Sequence, residues 1–588
     1  MTDYAAPIED FKFILRNATR YDEVAALPGN EEFGWDMIDA VLEEAGRLAA
    51  GVIAPLNRTG DLEGSVLADG KVTTPPGWKA AYDELAAGGW IGLAVEPELG
   101  GQGMPKACGA AVSEMFEGAS MAFALCNILT QGAIEALVLN ASEEIKARYL
   151  PKLVSGEWTG TMNLTEPQAG SDLAALRATA TPESDRYLIR GQKIFISYGD
   201  HDLTDNIVHL VLARLPDAPP GVKGISLFVV PKFLVGDDGS LGAANDIACV
   251  SLEHKLGIHA SPTAVMSYGD KGGAFGWLVG EANRGLEYMF VMMNRARFEV
   301  GVQGIGIAER AYQQARAYAR ERVQGRPMGR EQGATIVEHP DVKRMLLSMK
   351  SRIDAVRAIG LDCAARMDIA EKTGDRAIQE EIEFLIPIVK GWGTELGVEI
   401  ASLGMQVHGG TGYIEETGAA QHFRDARITT IYEGTTGIQS ADLMFRKTMR
   451  DGGAVAKRLI AGCRATLDGL ATADAPAIIS AARSELDGLD DAVDRLVRLG
   501  NEDPAKVAAV ADPNLHLWGI VLGAVKQAEM ASAAHAARAA GEGNADYLDG
   551  RMALAEFYRA FVLPMAQGFR GIVEGGGETV VAANQNWL

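Results

Sequence analysis

The sequence predicts a multidomain α+β protein: helices first, then short strands, then helices to the end. Three observations carry that prediction. Apolar residues recur at helical spacing from Trp35 onward. Between Gly160 and about Glu281, short runs rich in Val, Ile, Phe and Thr are separated by turn residues. After Asn283 long helical faces return and continue beyond Arg450. A chain of 588 residues is too long for one core, so several domains are expected.

In chain order, residues 1–35 mix polar and aromatic side chains and read as an N-terminal arm. Met37, Ile38, Val41, Leu42, Ala45 and Leu48 mark the first helical face, which Pro55 is expected to end, with a loop over 60–76. Helices over 79–87 and 107–139, joined through a glycine-rich connection, complete a helical domain over 36–158. A β domain follows over 159–282. Its strands are expected at 161–165, 187–189, 194–197, 207–212, 225–230 and 264–268, with turns at Gly191, Gly199 and Pro219, as in a small barrel or sandwich. Over 283–450, long amphipathic helices near 308–322, 342–356 and 378–405 predict a bundle. Residues 451–588 are Ala-rich and predict a helical extension, with helical faces at 455–467, 477–499, 517–540 and 547–572 and no assignment for 575–588.

Composition excludes several function classes. No apolar run of about 18 residues stands out, so no spanning helix and no integral membrane association are expected. The N-terminus carries Asp3, Glu9 and Asp10 and lacks the basic start of a secretory signal. Five scattered Cys without a CxxC predict a reducing, cytoplasmic setting, and nine His without a zinc-type pair predict no metal. A net charge of −23 argues against nucleic acid and against anionic membrane surfaces. A local arginine cluster can still hold a small anion. No βαβ unit carries a GxGxxG, so a Rossmann NAD site is not indicated.

Four stretches and a set of arginines carry candidate chemistry. In Ile431-Tyr432-Glu433-Gly434-Thr435 one carboxylate sits in an uncharged run, and Thr436-Gly437-Ile438-Gln439 reads as a capping box opening a helix over 440–446. Burial would raise the Glu433 pKa and a helix N-terminus would lower it, a combination that suits a general base, although an acid closing a turn has the same signature. The stretch 161–172 runs from a strand into Pro167 and a Gly170-Ser171-Asp172 turn, offering N–H groups and hydroxyls to a heteroaromatic ring. In 193–199, alternation puts Phe195 and Ser197 on one face. Arg295, Arg297, Arg316, Arg320, Arg322, Arg326 and Arg330 form either a solvated face or a pyrophosphate clamp. Gln406-Val407-His408-Gly409-Gly410 is a helix end whose glycines allow close approach of a phosphate or sugar, with His408 expected in the core.

Taken together and in order, these segments resemble the acyl-CoA dehydrogenase family. The resemblance rests on Leu164-Thr165-Glu166-Pro167 with Ala169-Gly170-Ser171-Asp172, on 193–199, and on Lys255-Leu256-Gly257-Ile258-His259. It continues through Arg297, Glu321-Arg322, 406–412, Arg424-Asp425-Ala426-Arg427 and 431–435, covering roughly 35–450. With its arm and tail, the chain is similar to the long subfamily that includes 3-methylmercaptopropionyl-CoA and broad-range fatty acyl-CoA dehydrogenases. The resemblance implies a helical domain, a β domain and a four-helix bundle, with FAD held between the last two.

Carried over by residue, it implies Glu433 as catalytic base and Met162, Leu164, Thr165 and Ser171 around the flavin ring. Phe195 and Ser197 replace a Trp/Thr pair beside that ring. Arg322, Gln324, Gln406, Gly409 and Gly410 match positions that hold FAD across a dimer interface, so a homodimer or dimer of dimers is implied. Thr435 matches another flavin contact, Arg297 a position near the CoA moiety, and Ser171, Tyr432 and Gly434 the substrate side. Gly437 stands where many members have Gln, and 325–330 departs from the common Phe-Gly pattern. The implied reaction is α,β-dehydrogenation of an acyl-CoA, with electrons passed to an electron-transferring flavoprotein. The alternatives are an acyl-CoA oxidase, a DNA-binding relative, which would need a basic face, and a non-catalytic scaffold.

Overall fold

The computed structural model describes residues 4–329, 332–470 and 475–587. Its first helices are α1 (Ile8–Asn17), α2 (Tyr21–Ala25) and α3 (Trp35–Leu48). Pro55 does not end the third helix as expected: after a π-turn at Ala49–Ile53 it lies in the first turn of α4 (Ala54–Glu63), where its missing N–H costs nothing. The expected loop over 60–76 likewise contains a hairpin, β1 (Val66–Ala68) with β2 (Lys71–Thr73). Next come α5 (Trp78–Ala87), α6 (Lys106–Asn140) and α7 (Glu143–Val154). Ser142 caps α7 by accepting from the Ile145 N–H. Contrary to the composition reading, α6 is long and apolar enough to cross a bilayer, but 72% of its most apolar stretch is buried inside the protein, as in a core helix.

The β region holds β3 (Trp158–Asn163), β4 (Thr179–Glu183), β5 (Arg186–Ser197), β6 (Asn206–Arg214), β7 (Ile225–Pro231), β8 (Phe233–Val235), β9 (Leu241–Ala244), β10 (Ile247–Leu252), β11 (Thr263–Tyr268) and β12 (Ala274–Val279). The main sheet runs β10-β11-β5-β12-β7-β6-β3, and β4 pairs with both β5 and β6. Strands β5, β12, β7, β6 and β4 therefore form a closed circuit, a small barrel. Strands β3, β6 and β7 are almost wholly buried, as the Val, Ile and Leu runs of β6 and β7 require. Gly191 is not the expected turn but an interior residue of β5 at φ 139°. A Cβ there would stand 2.9 Å from the Ala178 side chain, so Gly is needed for strand continuity.

The remaining helices are α8 (Gly285–Glu321), α9 (Pro340–Thr373), α10 (Arg376–His408), α11 (Ala419–Ala426) and α12 (Thr436–Ala441), then α13 (Ala454–Gly469), α14 (Pro476–Glu502), α15 (Pro504–Ala509), α16 (Ala511–Ala540), α17 (Ala545–Phe557) and α18 (Met565–Val581). Gly374 at φ 68° stops α9, and Asp375 starts α10 by accepting from the Ala377 and Ile378 N–H groups. Helix α16 lies against both α9 and α10, joining the extension to the bundle. The single helical face expected over 547–572 is broken by a π-turn at Tyr558–Val562 and by Pro564, and the unassigned end is helical as far as Val581.

The chain divides into two compact units that do not follow its linear order. One contains the chain through Ala50, Pro105–Gly118 and everything from Arg297 onward; the other contains Gly51–Met104 and Ala119–Ala296. In the first unit, α9 is buried on every side over its middle turns, including Arg352, Asp354 and Arg357. Such charges persist inside only when paired. Arg357 binds Glu114 at 2.5 Å and Glu309 at 3.0 Å, while Lys350 binds Asp10 of α1 at 2.5 Å and Asp354 at 2.9 Å. Arg551 of α17 completes the cluster, 3.3 Å from Asp10 and 2.7 Å from Asp354. Ions thus tie the N-terminal arm, the bundle and the C-terminal extension together.

Candidate active site

Glu433 occupies a left-handed backbone conformation, φ 54°, followed by Gly434 at φ 90°. A non-glycine residue holds that geometry only where its surroundings impose it. Two side chains do so here. Lys390 on α10 donates to the carbonyl oxygens of Gly434 at 2.7 Å and Thr429 at 2.8 Å. Gln439 donates to the Glu433 carbonyl at 3.2 Å.

The expected capping box is displaced by one residue. Thr435, not Thr436, is the N-cap of α12 and accepts from the Ile438 N–H, and the helix opens at Thr436 rather than at 440. Gln439 is one residue too far on to bond the cap N–H, so it reaches back to the Glu433 carbonyl instead. The backbone from 442 to 449 is a π-helix.

The Glu433 side chain is half-buried, and among the described residues nothing hydrogen-bonds its carboxylate or accepts its N–H. Burial raises its pKa above the usual carboxylate range, while the charges of Arg297 and Lys390 pull it down. Burial in turn lowers Lys390 to about 8, against the pull of Glu433. Arg297 is buried and pairs with Asp442 at 3.5 Å. The carboxylate thus lies in the field of two cations and is hydrogen-bonded to neither. Tyr432, beside it, donates to Gln303 at 2.5 Å.

Elsewhere in the same unit, Arg322 and Gln324 are exposed just beyond the end of α8. Their backbones are fixed by a short bridge: the Ile336 N–H donates to the Arg322 carbonyl at 2.7 Å and the Gln324 N–H to that of Ala334 at 3.1 Å. Gln406, Gly409 and Gly410 are exposed at the end of α10, and a Cβ on either glycine would meet nothing within 4 Å. His408 is a core residue as expected, stacked on Tyr318 at 4.5 Å with Nδ1 facing the Gly404 carbonyl at 2.7 Å. Of the arginine cluster, Arg330 lies outside the described residues.

In the β-barrel unit, Met162 is buried in β3, Leu164 and Thr165 are half-buried beyond its end, and Ser171 is exposed. Lys193 Nζ pins this loop, donating to the Leu164 carbonyl at 3.0 Å and to Glu166 at 2.8 Å. Glu166 also accepts from the Arg177 and Ala178 N–H groups at 2.7 and 3.0 Å. Phe195 is exposed, Ile196 buried and Ser197 half-buried. The sequence pattern did not show the bulge preceding them, where Phe195 takes φ 60° and is 59% exposed. Thr161 Oγ1 donates to the Ser197 carbonyl at 2.8 Å, tying β3 to this edge.

Sequence reasoning missed Lys390 and Gln303. Lys390 had a visible signal, a lone cation in the apolar stretch 384–392.

Comparison with known proteins shows the family. Residues 38–157, 161–270 and 283–446 match the N-terminal, middle and C-terminal domains of acyl-CoA dehydrogenases, and 459–584 match an acetyl-CoA dehydrogenase C-terminal-like domain. The chain is 47% identical to 3-methylmercaptopropionyl-CoA dehydrogenase of Ruegeria pomeroyi, over 99% of this chain and 100% of that protein. It is 34% identical to a butyryl-CoA dehydrogenase of Syntrophomonas wolfei (96% and 95% covered) and 32% identical to the broad-specificity linear acyl-CoA dehydrogenase FadE5 of Mycobacterium tuberculosis (98% and 98% covered). The fold matches ACDH-11 of Caenorhabditis elegans with a TM-score of 0.77 at 21% identity, covering 95% of this chain and 92% of that one. Identity that runs from end to end, through the extra helical tail as well as the three domains before it, shows that the chain belongs to the acyl-CoA dehydrogenase family, oxidoreductases acting on CH–CH bonds.

Proposed function

We propose that the protein dehydrogenates a short acyl-CoA, straight-chain or carrying a thioether, to the trans-2-enoyl-CoA with FAD, and passes the electrons to an electron-transferring flavoprotein. One observation supports this above the others: Glu433 presents both an unbonded, half-buried carboxylate and an unbonded backbone N–H. An acyl thioester has a weakly acidic α-proton, so its removal needs a base and a donor to the charge developing on the thioester oxygen. In this reading the carboxylate takes the α-proton, and the N–H of the same residue bonds the thioester oxygen. Burial raises the pKa of that carboxylate, and Arg297 and Lys390 pull it back down.

The residues present fit a flavin. Phe195 offers an exposed ring on a fixed bulge, Met162, Leu164, Thr165, Ser171 and Ser197 offer apolar surface and hydroxyls, and Thr435 offers one more hydroxyl. When bound, FAD supplies the acceptor for the hydride leaving the β-carbon. Arg322, Gln324, Gln406, Gly409 and Gly410 fit the anionic and ribityl portions: a guanidinium, two amides and two glycines with open space before them. Exposed Val323, Met328, Tyr413 and Ile414 nearby in sequence support cover by a second copy, hence a homodimer. Ser171, Arg297, Tyr432 and Gly434 are proposed on the substrate side, and the setting is proposed to be cytoplasmic.

The relatives' names guide the substrate panel: 3-methylmercaptopropionyl-CoA, butyryl-CoA and longer linear acyl-CoAs. Mixed anaerobically with the purified yellow protein, a true substrate bleaches the flavin. Glu433→Gln is expected to stay yellow and to lose about 100-fold to 10⁴-fold in bleaching rate. An unchanged rate in that variant would remove Glu433 from the mechanism.

A further inference from the structure

The turn carrying Glu433 is clamped by Lys390 and Gln439 through the carbonyls of Glu433 and Gly434, on the C-terminal side of the base. On its N-terminal side the backbone bonds run from the Ile431 and Tyr432 N–H groups to the Ile428 carbonyl. Lys390 also bonds the Thr429 carbonyl there, and the residue directly before Glu433, Tyr432, is held by its own ring. Its hydroxyl donates to Gln303 Oε1 at 2.5 Å, and Gln303 Nε2 donates to Glu117 Oε2 at 3.1 Å. Gln303 is fully buried and Glu117 is 1% exposed. These two bonds form one buried chain from α6 through α8 to the residue before the base. Glu117 Oε1 has no hydrogen-bond partner among the described residues, so Gln303 is the only group there that holds this carboxyl.

We propose that Glu117 is a positioning residue for the reaction: through Gln303 it fixes the Tyr432 ring, and with it the left-handed peptide at Glu433. A hydrogen-bonded chain of buried polar groups behaves as a unit, because breaking either link leaves a desolvated atom unsatisfied at both ends. A residue at φ 54° is the part of the turn most sensitive to such a loss. Burial raises the Glu117 carboxyl well above the usual carboxylate range, against the Gln303 amide and with the neighbouring Glu299. Glutamine is therefore a close substitute for it, neutral and able to accept the same bond.

The inference rests on the proposed role of Glu433 as base, and its test separates the two. The full-length, flavin-loaded protein is mixed anaerobically with butyryl-CoA and with 3-methylmercaptopropionyl-CoA, and the limiting rate of bleaching is read apart from apparent substrate affinity. Glu117→Ala is expected to lower the limiting rate by about 10- to 100-fold, as small displacements of a reacting group do. Affinity should stay within about twofold, and Glu117→Gln should restore the rate to within about twofold of wild type. Tyr432→Phe cuts the same chain, so the double variant Glu117→Ala/Tyr432→Phe should be no slower than the worse single variant. Losses that multiply in the double variant, or a Glu117→Gln as slow as Glu117→Ala, would overturn the relay. Should Glu117→Ala fail to fold, Gln303→Met and Tyr432→Phe make the same cycle with the same requirement. A wild-type protein that bleaches with no acyl-CoA, or a Glu433→Gln that bleaches at full rate, overturns the underlying reading instead.

Discussion

Lys390 Nζ lies 2.7 Å from the carbonyl oxygen of Gly434, so an ammonium buried in α10 holds the residue after Glu433. It does two jobs: it closes the turn and it places a positive charge beside Glu433. Replacing Lys390 with Met keeps the bulk and removes both. Two carbonyls would lose their donor, at about 1–3 kcal/mol for each buried group left unsatisfied. The expected result is a lower denaturation midpoint together with a larger loss in kcat/KM than in flavin content. A variant with wild-type kcat/KM would show that the turn holds without the lysine.

The pH dependence follows from the shifted carboxyl. Burial raises the pKa of Glu433, and Arg297 and Lys390 restrain it. A base works only when ionised, so kcat/KM falls as pH drops through that raised value. Arg297→Gln removes one restraining cation and should move this acid limb to higher pH. Stability runs in the opposite sense. A carboxyl with a raised folded-state pKa stabilises the fold fully below its unfolded value of about 4.3, and that contribution is lost as pH rises through the folded value. Uncharged Glu433→Gln should therefore melt above wild type at pH 8 and with no such advantage at pH 4, as a thermal scan at the two pH values would show.

The Lys193–Glu166 pair makes an asymmetric prediction. Burial lowers Lys193 to about 8 although Glu166 opposes it. The Glu166 carboxylate would keep the Arg177 and Ala178 N–H groups and Gln168 if the lysine were removed, whereas Lys193 would keep only the Leu164 carbonyl. Glu166→Gln should therefore cost more than Lys193→Met, on the order of the 3–5 kcal/mol of a broken buried pair. Urea unfolding of the two variants gives the order directly, and the reverse order would contradict this account.

The ion cluster around Asp10 predicts that the N-terminal arm is structural. Burial alone would raise the Asp10 carboxyl, but Lys350, Arg551 and Arg357 hold it far below the usual range. Its contribution is present above the unfolded carboxylate pKa of about 3.9 and is lost as pH falls through the folded value. Asp10→Ala leaves Lys350 and Arg551 short of one anion and should cost about 3–5 kcal/mol at neutral pH. It should also flatten the acid end of the stability curve, measurable by denaturant midpoints between pH 7 and pH 3.

Much of the architecture was legible because periodicity is local. The helical face from Trp35 announces the side it buries, and the unbroken apolar runs of β6 and β7 announce strands buried on both faces. Errors fell where one residue serves two structures. Pro55 can end one helix or begin another, and Gly191 can turn a chain or lie within a strand beside a close neighbour. The one-residue shift of the α12 cap is of the same kind, since Thr435 and Thr436 are both acceptable caps in sequence.

By itself the sequence determined the order of helices and strands and singled out Glu433 as a carboxylate in an uncharged run beside a helix start. Only the tertiary structure decided that this residue is left-handed, that Lys390 and Gln439 clamp it, that Arg297 and Lys390 charge its surroundings, and that Glu117 reaches its neighbour through Gln303. The physical reason is distance along the chain. Lys390 and Gly434 are 44 residues apart, and Glu117 and Gln303 are 186 apart. Local propensity shapes an element over a few residues, whereas a field or a hydrogen bond depends on which elements pack together.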